Sequence, residues 1–194
     1  MRFQSHQVHN LVHYDVLYLT PKHRVQLCWE TFMQASLPIH EALKTLSWLI
    51  GKWVGNGLGE YPTITRFKYC EELEFTSLGQ PLLNYTSRTW HAEKKNPMHF
   101  ESGFLRIKPG TRDVAFMISH NFGLSEVEEG QVEDLKLVTT SQDIKRMSFA
   151  KDPGVTQIHR EYSLQGDVLS LTLSMATTNT PLTKHLTVTY KKIS

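Results

Sequence analysis

Ten histidines, six methionines and a scatter of acidic residues are the groups in this 194-residue chain best able to do chemistry. An imidazole holds a metal ion or carries a proton near neutral pH. His6, His9 and His13 fall at i, i+3 and i+7, the spacing of a metal clip on one helix face. No acidic neighbour or helix cap supports that face, so a histidine-rich terminus is the simpler expectation. His120 ends the series Val114, Phe116, Ile118, His120, which share one face of a strand, and His99 sits between Met98 and Phe100 in another patterned strand; either could line a cavity. His185 alternates with Thr187 and Thr189, while Leu186, Val188 and Tyr190 take the other face, so by pattern it is an ordinary strand residue. Met98 and Met175 read first as core filler; in a cavity they would form a soft, apolar wall. Glu71, Glu72 and Glu74 suggest paired acid and base groups, but strand neighbours point to opposite faces, and the expectation is solvated strand faces. The chain contains no G-x-S-x-G, HExxH or P-loop.

The elements that must position these groups read as β-structure after a helical start. Residues 38–46 place a proline at a plausible helix start and Glu41 in the first turn, which predicts a short helix; residues 21–35 are a second helical candidate. From Gly51 onward the pattern has period two, as in residues 168–176, where Leu169, Leu171, Leu173 and Met175 alternate with serine and threonine. Turn signals such as Lys108-Pro109-Gly110 and Gln165-Gly166-Asp167 separate such runs, indicating an antiparallel meander. The expected fold class is all-β: roughly ten antiparallel strands closed into an up-and-down barrel, with a short N-terminal helix capping one end. A barrel of that size holds one small ligand; a β-sandwich stays open on pattern alone. Two domains are expected, an extension over residues 1–36 and a barrel over residues 37–194.

Composition excludes several classes. Lysine and arginine number 21 against 19 acidic residues, a net charge of +2 that gives no reason to expect a nucleic-acid partner. No run approaches the ~20 apolar residues of a membrane-spanning helix, and the first 19 residues lack the apolar stretch of a secretory signal. The two cysteines, Cys28 and Cys70, make a disulfide-stapled domain or a zinc–cysteine site improbable, so a cytoplasmic location is expected, with the nucleus open.

Gly51-Lys52-Trp53-Val54-Gly55-Asn56-Gly57 fits GxWxGxG, in which the tryptophan would plug a barrel base and the glycines let the first strand bend. The string resembles the opening of the nitrobindin family, haem-binding barrels of fatty-acid-binding-protein shape. The resemblance continues through Gly79-Gln80-Pro81-Leu82-Leu83-Asn84-Tyr85, Pro97-Met98-His99-Phe100-Glu101-Ser102-Gly103, Gly123-Leu124-Ser125-Glu126-Val127 and Pro181-Leu182-Thr183-Lys184-His185-Leu186, covering about residues 37–194. It is strongest to the nitrobindin domain that animals carry behind a THAP zinc finger. That finger needs a Cys/Cys/Cys/His set and residues 1–36 hold one cysteine, so DNA binding is not expected to carry over.

The resemblance implies one ferric haem b per chain, with His185 as proximal ligand and Thr63 as a second haem contact. It places Met98, His99, His120 and Met175 along the cavity, with His120 a departure from the glutamine other members often carry. It implies isomerisation of peroxynitrite to nitrate and binding of nitric oxide, and leaves a homodimer open. The alternative is an intracellular fatty-acid carrier of the same shape without catalysis, suggested by Arg160-Glu161-Tyr162, which looks like the Arg-x-Tyr carboxylate clamp of such carriers.

Overall fold

The structure, a computed structural model, describes residues 38–194. The helix expected over residues 21–35, the histidines at 6, 9 and 13 and the extension 1–36 lie outside the described residues. The described chain opens with a 3-10 helix, Glu41–Leu49, whose Leu43, Leu46 and Leu49 are fully buried. His40 rather than Pro38 sets its start: the His40 Nδ1 accepts the Ala42 N–H at 3.1 Å, satisfying one donor that a first turn leaves unpaired.

Ten strands follow: β1 (Gly51–Tyr61), β2 (Ile64–Ser77), β3 (Leu82–His91), β4 (Pro97–Ile107), β5 (Asp113–His120), β6 (Leu124–Glu133), β7 (Lys136–Arg146), β8 (Val155–Gln165), β9 (Val168–Thr177) and β10 (Thr180–Lys192). Each pairs antiparallel with its sequence neighbours, and β1 pairs with β10, so the sheet closes into a barrel. Closure pairs every described strand on both sides, the β7–β8 ladder running only from Lys136–Ser163 to Thr140–His159, and it decides for the barrel over the sandwich.

The two ends differ. The helix feeds directly into β1, so it sits at the end where β1 begins, and Tyr61 at the close of β1 marks the other. Trp53 seals the helix end, its Nε1–H donating to the Leu49 carbonyl at 2.8 Å. Above it lies an aromatic layer in which the Tyr85 and Phe116 rings meet edge-on at 4.8 Å and Phe75 and Tyr162 at 6.0 Å. Beyond that layer β1 turns glycine inward. A Cβ on Gly57 would lie 2.3 Å from the Tyr69 ring and one on Gly59 2.1 Å from the Phe67 ring, each ring belonging to the residue paired opposite on β2. Of the motif glycines Gly57 makes room for the Tyr69 ring and Gly55 lies against β10, whereas Gly51, at φ +128°, takes a backbone conformation that favours glycine.

Candidate functional site

Two β-bulges build the open end. In β10, Lys184 pairs with Ser174 and Leu186 with Leu173, so His185 is an extra residue opposite no partner. In β4, Arg88 pairs with Phe100 and Trp90 with Pro97, so β4 gains one residue over β3 around Met98 and His99. A bulge breaks strict alternation and re-aims side chains. As a result the sequence neighbours Met98 and His99, and likewise His185 and Leu186, line the same cavity. This space, about 520 Å³ counting the part open to solvent, is walled on its apolar side by Phe67, Leu171, Leu173 and Leu186.

His185 is held in one tautomer. Its Nδ1–H donates to the Glu60 carbonyl at 3.1 Å, which leaves Nε2 unprotonated and without a hydrogen bond among the described residues. The Tyr61 ring stands edge-on to it at 5.2 Å, and the Tyr61 hydroxyl is tied to the Met175 carbonyl at 3.1 Å. Burial lowers the His185 pKa from its ordinary value, with the Glu60 carbonyl opposing, so the ring is neutral at neutral pH. A neutral imidazole anchored through one nitrogen and free at the other is the form that ligates metals.

Across the barrel from β10 lies a buried polar network. His99 Nε2 meets His120 Nδ1 at 2.9 Å, and His120 Nε2 meets Glu126 Oε1 at 3.0 Å. A carboxylate only accepts, so His120 donates from Nε2 and accepts at Nδ1; His99 then donates from Nε2 and keeps a lone pair at Nδ1. Glu101 accepts the Tyr85 hydroxyl at 2.7 Å and an Arg160 N–H at 3.3 Å through Oε2. Arg160 reaches Glu126 Oε1 at 3.4 Å and Glu128 Oε1 at 3.1 Å as well, and the Thr139 hydroxyl donates to the other oxygen of Glu128. Burial alone would raise the Glu101 carboxyl, but Arg160, His120 and His99 outweigh it and hold the pKa down at about 2. Glu128 goes the other way: burial pushes it up to about 7, partly opposed by Arg160. Burial lowers the His99 pKa, against the attraction of Glu101.

The expected site residues are distributed as follows. His185, Met98 and His99 line the cavity. His120 is buried directly behind His99. Met175 packs against the hydrophobic core. Thr63 is exposed in the turn between β1 and β2, at the open end. Trp53, Gly51, Gly55 and Gly57 all lie on β1. Two expectations are corrected. Glu71 does not sit on a solvated face: it is 5% exposed, points inward and accepts the Ser87 hydroxyl at 2.7 Å, while Glu72 faces outward to Lys52. Arg160 and Tyr162 do point inward together, as a clamp requires, but Arg160 is taken up by three carboxylates and is not free for a fatty acid. Sequence reading missed Glu101, Glu126 and Glu128. Their signal was present, since Glu126 and Glu128 share the period-two face of Leu124, and Glu101 that of His99.

Comparison with known proteins adds a family. The model of the THAP4-like, heme-binding beta-barrel domain matches residues 42–192. A human protein named peroxynitrite isomerase THAP4 is 45% identical over 159 residues, which are 80% of this chain and 28% of that protein. This chain therefore spans less than a third of the longer animal relatives it matches. A peroxynitrite isomerase of Nocardia farcinica is 38% identical over 163 residues, covering 82% of this chain and 95% of that protein. The crystal structure of Rv2717c from M. tuberculosis superposes with a TM-score of 0.74 at 34% identity, covering 81% of this chain and 100% of that one.

Proposed function

Since this chain belongs to the THAP4-like, heme-binding β-barrel family, we propose that it holds one ferric haem b on His185, isomerises peroxynitrite to nitrate, and takes nitric oxide as a second ligand. The observation that carries the reading is the His185 ring: Nδ1 fixed on the Glu60 carbonyl, Nε2 free, and the side chain on the wall of an apolar-sided cavity open at one end. These residues fit the group. Once bound, ferric haem would supply a Lewis-acidic iron for a small anionic ligand.

The chain's own residues do the rest. The Glu60 carbonyl keeps the His185 ring from rotating and makes it a better donor. Phe67, Leu171, Leu173 and Leu186 give the cavity an apolar side that would keep water from a bound haem, and Met98 lines the same cavity. His99 lines the cavity and, with its proton held on Nε2 by the His120–Glu126 chain, keeps a lone pair at Nδ1 that would be able to accept a proton. Thr63, exposed at the same end, is the proposed contact for the haem edge. The carrier reading has lost its cation, because Arg160 already serves Glu101, Glu126 and Glu128. The reading keeps the protein in the cytoplasm or nucleus and gives it small-molecule ligands.

Stopped-flow decay of peroxynitrite tests the activity. Haem-loaded protein is expected to accelerate decay and shift the product toward nitrate; His185→Ala, mixed with the same hemin, is expected to lose that acceleration. Equal rates for the two proteins would refute the assignment.

A further inference from the structure

Three donor atoms converge beside the cavity, His99 and Glu101 on its wall and His120 buried behind them. His99 Nε2 lies 2.9 Å from His120 Nδ1 and 3.7 Å from Glu101 Oε1, and the last two are 3.5 Å apart. The point equidistant from all three is about 2.0 Å from each, the length of a bond from a first-row ion to imidazole nitrogen or carboxylate oxygen. We propose that His99, His120 and Glu101 form a second, non-haem site for a divalent first-row transition ion. Two imidazoles and one carboxylate are a donor set such ions accept.

The surroundings are those of a built ligand set rather than a chance meeting. His120 hands its far nitrogen to Glu126 Oε1 at 3.0 Å, the carboxylate–histidine arrangement that orients a ligating ring and strengthens it as a donor. Glu101 is fixed through its other oxygen, Oε2, by Tyr85 and Arg160, so Oε1 is the one left for an ion. Among the described residues Arg160 is the single buried cation paired with Glu101, Glu126 and Glu128, and Glu126 Oε2 has no hydrogen-bond partner there. Three acids thus share one guanidinium, and a divalent ion beside Glu101 would add positive charge to that network. His99 lies on the cavity wall with its side chain 30% exposed, which gives the ion a way in. Binding asks one rearrangement: the His99 proton moves from Nε2 to Nδ1 in place of its hydrogen bond to His120. An ion there adds positive field to the cavity His185 lines; that consequence rests on the haem reading, whereas the site does not.

The test titrates the full-length chain, stripped by chelator, with Zn(II) by calorimetry and with Co(II) for its ligand-field absorption, before and after hemin is added. One tight equivalent is expected, with Co(II) bands of low coordination number. His120→Gln and His99→Gln are each expected to weaken it at least about 100-fold. His99, part-exposed on the wall, can be changed without opening the Arg160 network, so a misfolded His120→Gln does not leave the question open. The site is expected to survive in His185→Ala, which separates it from the haem reading, and in a variant with His6, His9 and His13 all changed to Gln. Absence of a tight step, a step untouched by His99→Gln, or a step lost with the N-terminal histidines would overturn the proposal.

Discussion

Glu71 shows how a single side chain departs from its sequence reading. Alternation correctly separated it from Glu72, but which face was inside depended on the barrel's closure, and an acid on a strand reads by default as solvated. Its burial raises the carboxyl pKa from 4.5 to about 7. Between those values the folded chain keeps a proton that the unfolded chain has released, so stability falls as pH rises through that window. Glu71→Gln is therefore expected to stabilise the haem-free protein by up to about 3 kcal/mol at pH 8 and by almost nothing at pH 4, measured by urea unfolding at both. An equal change at the two pH values would contradict the assignment. His185 carries the complementary lesson. Its alternation with Thr187 and Thr189 hides the extra residue that aims it inward, because a bulge leaves no mark in a period-two count. Only the resemblance pointed to it.

At the scale of elements, β1 and its partner β2 decide whether the cavity exists. The GxWxGxG string was legible as a barrel opening, but the use of Gly57 was not, since the Tyr69 ring that fills its place belongs to a residue on the next strand. Gly57→Ala puts a methyl group where the Tyr69 ring lies. The expected cost is about 1–3 kcal/mol of stability, and hemin uptake is expected to fall as the ring is driven into the cavity. Thermal unfolding paired with hemin titration checks both; a stable variant with undiminished uptake would show that the glycines serve something else. The same reasoning covers β4, whose bulge brings Met98 and His99 to one wall in a way no single-strand pattern reveals.

Over the barrel as a whole, alternating runs and evenly spaced turn signals were enough to read the architecture, because closing the sheet is the economical way to protect ten strands. The sealed end, with its helix and Trp53, was read as well; what they did not reveal is the other end, where bulges and buried charge come from long-range packing. The contrast between the ends predicts independence. Leu46→Ala, at the sealed end, is expected to cost about 2–5 kcal/mol and leave the hemin affinity of the folded protein unchanged; a parallel loss of affinity would mean the ends are coupled. The most direct measurement of the central claim is hemin titration of the full-length chain against His185→Gly, followed by free imidazole. The account predicts one equivalent with a sharp Soret band for the unaltered chain, its loss in the variant, and its return when imidazole fills the vacated place. A variant that takes up hemin with the same stoichiometry and spectrum would contradict it.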